Sequence, residues 1–518
     1  MRRFSVNFTI LVLVIWQFFS VLLMAIGIWP NWVVWLNLAV SAVFLVLADS
    51  FDGLLFLVIS IPFYVAIPNP KFDSLSVWRI LFAVVFLKWL VQEIIIKKQK
   101  IAFFYWDKIL GMFALLACVV TLAFAQFRLQ GLRQIFFWLN IYVIYLAAAN
   151  LIKNRQQVIK LAKFLVYSIS VIIGLGFVQL LATFFTNLDT FWVYWASFVS
   201  RLYYGDYFSS VALYSNSWFS YNGARELRMF SIMPDSQSFA YICVFAVGLG
   251  TALTFTISKK ARAWLWSGIR SAGLALVLSG TRAVWLGMVA PFAALVIALK
   301  TNFMKVPAKK FFWPFIMIII LFAVSPLINR GLDYLRAGVR FKENFIERAK
   351  SIYDLSETSN AGRIAIWKSS LLFAARHPLG IGVGNFMVSL DQSDVESYQE
   401  ASTKLNERYN LPQRYISAHS LYLQILVETG IAGLFLLIWF FVHLLSDIWS
   451  FLKTHRQSED FLAMFVLQFG LLLLWILFAA FFDITLFNDK VLMFFLLSLA
   501  IVRAIMKLSQ DQLEQDKL

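Results

Sequence analysis

The sequence predicts an all-α integral membrane protein of about 14 transmembrane helices (12–14), with a large, partly helical extracytoplasmic loop before the last three spans. Three observations carry that prediction. The chain has 518 residues, of which 61% are hydrophobic and only 14% charged, and its mean hydropathy is +0.76; a soluble chain carries roughly 25% charged residues. Apolar runs near the ~20 residues that a bilayer requires recur along its whole length. One long segment breaks the pattern: residues 327–418 hold twelve Arg or Lys and ten Asp or Glu. A chain otherwise built for lipid that keeps such a segment does its chemistry there.

The spans are expected in order near 8–29, 31–48, 51–67, 75–95, 108–126, 134–152 and 161–183. Asp49 and Asp52 alone separate the second from the third, and Pro68-Asn69-Pro70 ends the third. An aromatic loop, 184–234, carries Arg201, Arg225 and Arg228. Spans follow near 235–257, 262–280, 282–299 and 311–327, then the large loop, then spans near 431–449, 460–481 and 490–506. Four regions result: N-terminal spans 1–183, spans with the first outer loop 184–327, a large extracytoplasmic loop 328–430, and C-terminal spans with a cytoplasmic tail 431–518. Met1-Arg2-Arg3 and the apolar run after it imitate a signal peptide, but no small-residue cleavage site follows, so an uncleaved first span is expected.

Charge orients the chain. With the N-terminus in the cytoplasm, the basic loops at 97–100, 153–163, 259–262, 300–310, 453–456 and 503–507 all fall inside, as the positive-inside bias requires. Both termini are then cytoplasmic and residues 328–418 lie outside. The same bias splits 271–300 into two spans with a turn at Ser279-Gly280-Thr281-Arg282, which brings Arg282 to the outer face. It also accounts for the net charge of +17 without a nucleic-acid partner. Cys118 and Cys243 lie in apolar runs and form neither a metal spacing nor a disulfide framework. The Phe and Trp residues are expected as lipid-facing bulk and interface belts.

Residues 419–449 are too long for one span, at roughly 46 Å for a helix rising 1.5 Å per residue. The Glu428-Thr429-Gly430 step is the natural break, giving a surface helix over 419–428 and a span from Ile431. Within the loop, apolar spacing predicts interfacial helices over 332–355 and 363–376, the second with Ile364, Trp367, Leu371 and Ala375 on one face. Residues 391–414 are acid-rich and are expected as a lid. The Gly380–Phe386 run, GIGVGNF, lacks the Lys-Ser/Thr of a phosphate loop and reads as a tight turn.

Four outward residues carry candidate chemistry. Arg228, Arg282 and Arg363 offer planar donors for phosphate oxygens, and three of them at one membrane surface can hold a pyrophosphate without metal. His419 opens a helix, where the cationic imidazole is disfavoured, and a neutral imidazole accepts protons near pH 7. Each has a plainer reading. Outward arginines commonly touch headgroups or solvent, a histidine at a helix start commonly caps it, and Glu428 is equally an interfacial charge. His377, beside Pro378, reads as loop structure. No outward Asp-x-Asp, His-Glu-x-x-His or Gly-x-Ser-x-Gly pattern occurs.

The segments RMFSIMPDSQSFA, SGTRAVWLG, GRIAIWKSSLLFAARHPLGIGVGNF and AHSLYLQILVETGIAGL, in this order and separated by spans, resemble the bacterial O-antigen ligase and O-antigen polymerase superfamily over about residues 200–450. Where the family often has Pro-Asn after the first arginine, this chain has Pro234-Asp235. The resemblance implies a GT-C-type membrane glycosyltransferase without cofactor or metal, in the cytoplasmic membrane of a bacterium with its site extracytoplasmic. The implied partners are an undecaprenyl-pyrophosphate-linked glycan donor, a glycan or lipid acceptor, and membrane lipid. It implies catalytic roles for Arg228, Arg282, Arg363 and His419, and substrate contacts for Arg225, Trp367 and Glu428. A transporter or flippase of lipid-linked oligosaccharide is the competing class. It predicts mid-span charges and matching broken helices in two halves, and no half-to-half similarity is apparent in the chain.

Overall fold

The computed structural model describes residues 2–68, 76–99, 101, 103–206, 209, 219–221, 225–301, 311–321, 323–324, 358–386, 417–455 and 460–515. The predicted helix over 332–355 and the acid-rich segment 391–414 lie outside them.

A helix stands at each of the fourteen predicted spans, and among the described residues nine are long and apolar enough to cross a membrane. The other five fall short for identifiable reasons. Ser50–Ile59 is cut by the 3₁₀ turn Ile61–Phe63, with Pro62 in it. Val33–Leu47 and Phe311–Leu321 are short. Val77–Trp89 runs into a π-helical stretch, Leu90–Ile96. Lys259–Leu278 has the length but carries Lys259, Lys260, Arg262 and Arg270.

Burial identifies the centre of the bundle. In Ser236–Leu253 and in the last helix 89% of the apolar window is buried, against 28% in Asn7–Ala25 at the periphery. The central helix packs on Lys259–Leu278, Phe461–Ala479 and Arg155–Ala182. Asp49, Asn154, Asn187 and Asp235 start their helices by accepting the backbone N–H two or three residues on, which satisfies donors that a helix start leaves open. Trp78, Trp89 and Trp106 are among the largest fully buried side chains. They correct the expectation that tryptophan serves only the lipid face: the indole N–H of Trp106 finds the Tyr145 hydroxyl at 3.0 Å, so its polar edge is satisfied inside the core.

Two predicted breaks are present. The chain turns at Ser279–Thr281, with Gly280 at φ +62°, before the helix Arg282–Gly287. The helix Leu421–Thr454 kinks at Gly430, which is non-helical at φ +73°. The loop helix runs over Thr358–Arg376, starting earlier than expected and burying a different face. Ser369, Ser370, Phe373 and Ala374 are covered, whereas Leu371 and Leu372 are more than half exposed. The two serines fit inside because each hydroxyl bonds the carbonyl four residues back.

A candidate active site at one end of the bundle

The site is built from four strips of chain that meet at one end. The first carries Arg228. A hairpin of Phe219–Tyr221 with Arg225–Leu227 precedes it; Arg225 opens the second strand, and its side chain lies outside the described residues. After the hairpin the chain descends into the core. Gln179 grips it there: the Gln179 side-chain carbonyl accepts the N–H of Phe230 and of Ser231 at 3.1 and 2.8 Å, and its amide donates to the Ser231 carbonyl. This grip holds Ser231 at φ +56°, a left-handed conformation uncommon outside glycine.

The second strip is the 279–282 turn. Arg228 donates from Nε to the Ser279 carbonyl at 3.2 Å and from Nη2 to Thr281 Oγ1 at 3.3 Å. Thr281 Oγ1 donates to the Ser236 carbonyl at 3.1 Å. These bonds stitch the two motifs together and put Arg228 beside the helix that Arg282 begins. Arg282 is half-buried there.

The third and fourth strips carry Arg363 and His419. Four residues beyond Arg363, one helical turn, Trp367 donates its indole N–H to the Ala418 carbonyl at 3.1 Å. That bond fixes the loop helix against His419. His419 stands at φ +47°, and the next helix is anchored by Leu421, whose N–H donates to the carbonyls of Ala480 and Asp483. Burial, and then the nearby Arg363 guanidinium, push the His419 imidazole down to about 4. It is held neutral, chiefly because it is desolvated.

Two carboxylates join the cluster. Asp235 is pushed up to about 6, first by burial, with Asp483 adding to the rise and the Ser238 N–H and Arg228 opposing it. Asp483 is raised by burial and eased by the Thr485 hydroxyl and Arg363. Arg228, Asp235, Asp483, Arg363 and His419 thus form a connected electrostatic series. The role of Asp483 is not evident in the sequence. Its only signal is a polar residue with a hydroxyl two positions on, in the short link between the last two long helices.

Glu428 sits apart from this series and is 4% exposed. It accepts the Gln424 amide at 2.7 Å and the backbone N–H groups of Gly384 and Phe386. The GIGVGNF turn wraps the helix kink: Ile381 and Gly382 donate to the carbonyls of Val427 and Glu428, and Ile431 donates to that of Pro378. Gly380 and Gly430 face each other so closely that a Cβ on either would come within 2.6 Å of the other strip's backbone. Asn385, buried, clamps the far side by accepting the Phe127 N–H at 2.8 Å. His377 is exposed, its ring tilted against that of Phe373 at 4.5 Å between centres.

Residues 268–438 match the family described as O-antigen ligase. The matched stretch includes Arg282, Arg363, Trp367, His419 and Glu428; Arg228 precedes it. The described residues combine a bundle whose long apolar helices fit a membrane with a region similar to a glycan ligase family. Over that region the chain resembles the O-antigen ligase and O-antigen polymerase superfamily, as its motifs indicate. No curated protein matches the chain.

Proposed function

We propose that the protein is a metal-independent glycosyltransferase working at the outer face of a bacterial cytoplasmic membrane, with both termini cytoplasmic. It transfers or polymerises a glycan carried on undecaprenyl pyrophosphate. Arg228, Arg282 and Arg363 hold the donor's pyrophosphate, with Asp235 and Asp483 near enough to act electrostatically on Arg228 and Arg363. The half-buried His419 takes the proton of the acceptor hydroxyl. The hydroxyl oxygen then bonds to the anomeric carbon as the bond from that carbon to the pyrophosphate oxygen breaks, and the lipid pyrophosphate leaves with its charge on the arginines. Fixed cationic donors aimed at developing charge are worth most where water is excluded. Trp367 and Glu428 act by placing His419 and the loop.

One observation carries this reading: a neutral histidine and arginines from separate strips of chain meet at one end of the bundle, within and beside the region that matches the family. The test is transfer by the purified chain from a lipid-pyrophosphate glycan. Arg363→Gln and Arg282→Gln should weaken both donor binding and turnover, and turnover should survive EDTA because the clamp is cationic. Activity lost to EDTA and restored by Mg²⁺ or Mn²⁺ would show that the clamp is wrongly assigned.

A further inference from the structure

A second pair of cations lies at the same end of the bundle, outside the region that matches the family. Lys490 begins the last helix and is 1% exposed. Its ammonium lies 5.3 and 4.9 Å from the ring centres of Tyr203 and Tyr204. Its one hydrogen bond among the described residues is a long 3.4 Å contact to the Tyr204 hydroxyl. Arg79, half-buried near the start of Val77–Trp89, lies over the rings of Trp78 and Phe137 at 5.4 and 5.2 Å. Its Nε is buried without a hydrogen-bond partner. Asp489 acts electrostatically on both cations, yet among the described residues neither closes an ion pair with it.

An ammonium has three donors and a guanidinium five, and a buried cation is costly unless it is paired and hydrogen-bonded. Here most donors are unspent. The aromatic faces orient both groups without using their hydrogen-bond donors. Two cations against one carboxylate leave the pair net positive. The pair adjoins the first site: the Tyr204 hydroxyl donates to the Ile232 carbonyl at 2.9 Å, on the segment that carries Arg228, and Tyr204 feels both Asp489 and Asp235.

We propose that Arg79 and Lys490 form a second anion subsite, which takes a phosphate group of the lipid-borne acceptor while the first site holds the donor. The assignment of the occupant rests on the transferase reading; the anion subsite does not. Two sources supply this chemistry, the pyrophosphate of a second lipid-linked glycan and the headgroup of an acidic phospholipid.

The probe is farnesyl pyrophosphate, titrated against the full chain in nanodiscs of phosphatidylcholine, with farnesol as the neutral control. The wild type should bind two equivalents. Arg79→Gln should weaken one of them by about tenfold or more, the scale of a charge-assisted hydrogen bond, and Arg79→Lys should restore part of the loss. Arg228→Gln should weaken the other equivalent. The titration is repeated in equal parts phosphatidylcholine and phosphatidylglycerol. Competition confined to the Arg79-dependent equivalent would keep the subsite but give it to membrane phospholipid, overturning its assignment to the acceptor. A single equivalent in the wild type, or two that ignore Arg79→Gln in protein of unchanged melting temperature, overturns the subsite. If Arg228→Gln and Arg363→Gln leave binding untouched while Arg79→Gln does not, the donor reading fails and the subsite stands.

Discussion

The two ends of the bundle treat buried charge differently. At the end bearing the basic loops, carboxylates close ion pairs that tie helices together. Glu93 joins Lys97 and Lys153, Lys160 meets Asp52, Arg155 meets Asp460, and Arg503 meets Asp107 with both side chains buried. Lys88 reaches the carbonyls that end Val33–Leu47, a cation spent on a helix C-terminus. At the opposite end Arg228 donates to the carbonyls of Ser279 and Gly280 and to the Thr281 hydroxyl, and Asp235 and Asp483 are spent largely on backbone N–H groups and a hydroxyl. A charge neutralised by a partner stabilises the fold but has little left for a ligand. A charge held by neutral dipoles keeps its field.

The largest expected effect tests the second end. Replacing His419 should lower transfer by about 10²- to 10⁴-fold, the usual worth of general acid–base catalysis. The left-handed φ of +47° makes Asn a better replacement than Ala, because Asn tolerates that conformation. His419→Asn should keep its melting temperature and its affinity for the donor. The exposed His377→Ala is the control. Because the imidazole is held near 4, wild-type turnover at saturating donor should show no step from His419 between pH 5 and 8; a step near 6 in donor affinity belongs to Asp235. Near-normal turnover in His419→Asn would remove histidine from the mechanism and leave the arginines.

The next effect tests the first end. Asp107 accepts the Tyr145 hydroxyl at 2.8 Å and the Phe104 N–H at 2.8 Å, and Arg503 lies 3.3 Å away. Arg503→Met should cost about 3–5 kcal/mol, the price of leaving a buried charge without its partner, read as a lower melting temperature with donor affinity unchanged in the folded fraction. Asp107→Leu with Arg503→Met should recover most of that stability. A double variant no more stable than the single one would mean that the pair holds more than its own charges.

What could be read from the sequence follows how local the cause is. Helix positions, the Ser279–Arg282 turn and the Gly430 kink depend on composition and on glycine within a few residues, and all are visible in the chain. The matching family region and its motifs were equally legible. Contacts between distant strips were not. The Gly380–Gly430 interlock, the grip of Gln179 on Ser231 and the approach of Asp483 to Arg363 join residues that no short window contains. Arg503 counts with the basic loop residues in sequence, yet it is buried against Asp107, since nothing nearby reveals that a carboxylate waits on another helix. The apolar face of Thr358–Arg376 was misjudged for a related reason: Ser369 and Ser370 satisfy themselves and can be buried, which leaves leucines outside.

The smallest expected effect bears on how the second end carries a carboxylate among its cations. Asp235 caps Ser236–Leu253 by accepting the Ser238 N–H at 2.7 Å, and it faces Arg228 and Asp483 with Tyr204 nearby. Its folded-state value of about 6 stands above the ordinary 3.8, so the protonated form is the one the fold prefers. Its contribution to stability is complete below about pH 4 and is lost as pH rises through 6, amounting to about 3 kcal/mol for a shift of this size. Asn caps a helix as well as Asp does and does not ionise. Asp235→Asn should therefore flatten the fall in melting temperature between pH 4 and 6, while the helix start stays intact. With one negative charge fewer beside Arg228, the variant should also bind a lipid pyrophosphate more tightly at pH 7 than the wild type does. A variant that keeps the wild-type pH dependence would assign the titration to Asp483. A variant that binds donor more weakly would mean that Asp235 orients Arg228 through its charge, and that this end, too, depends on a carboxylate partner.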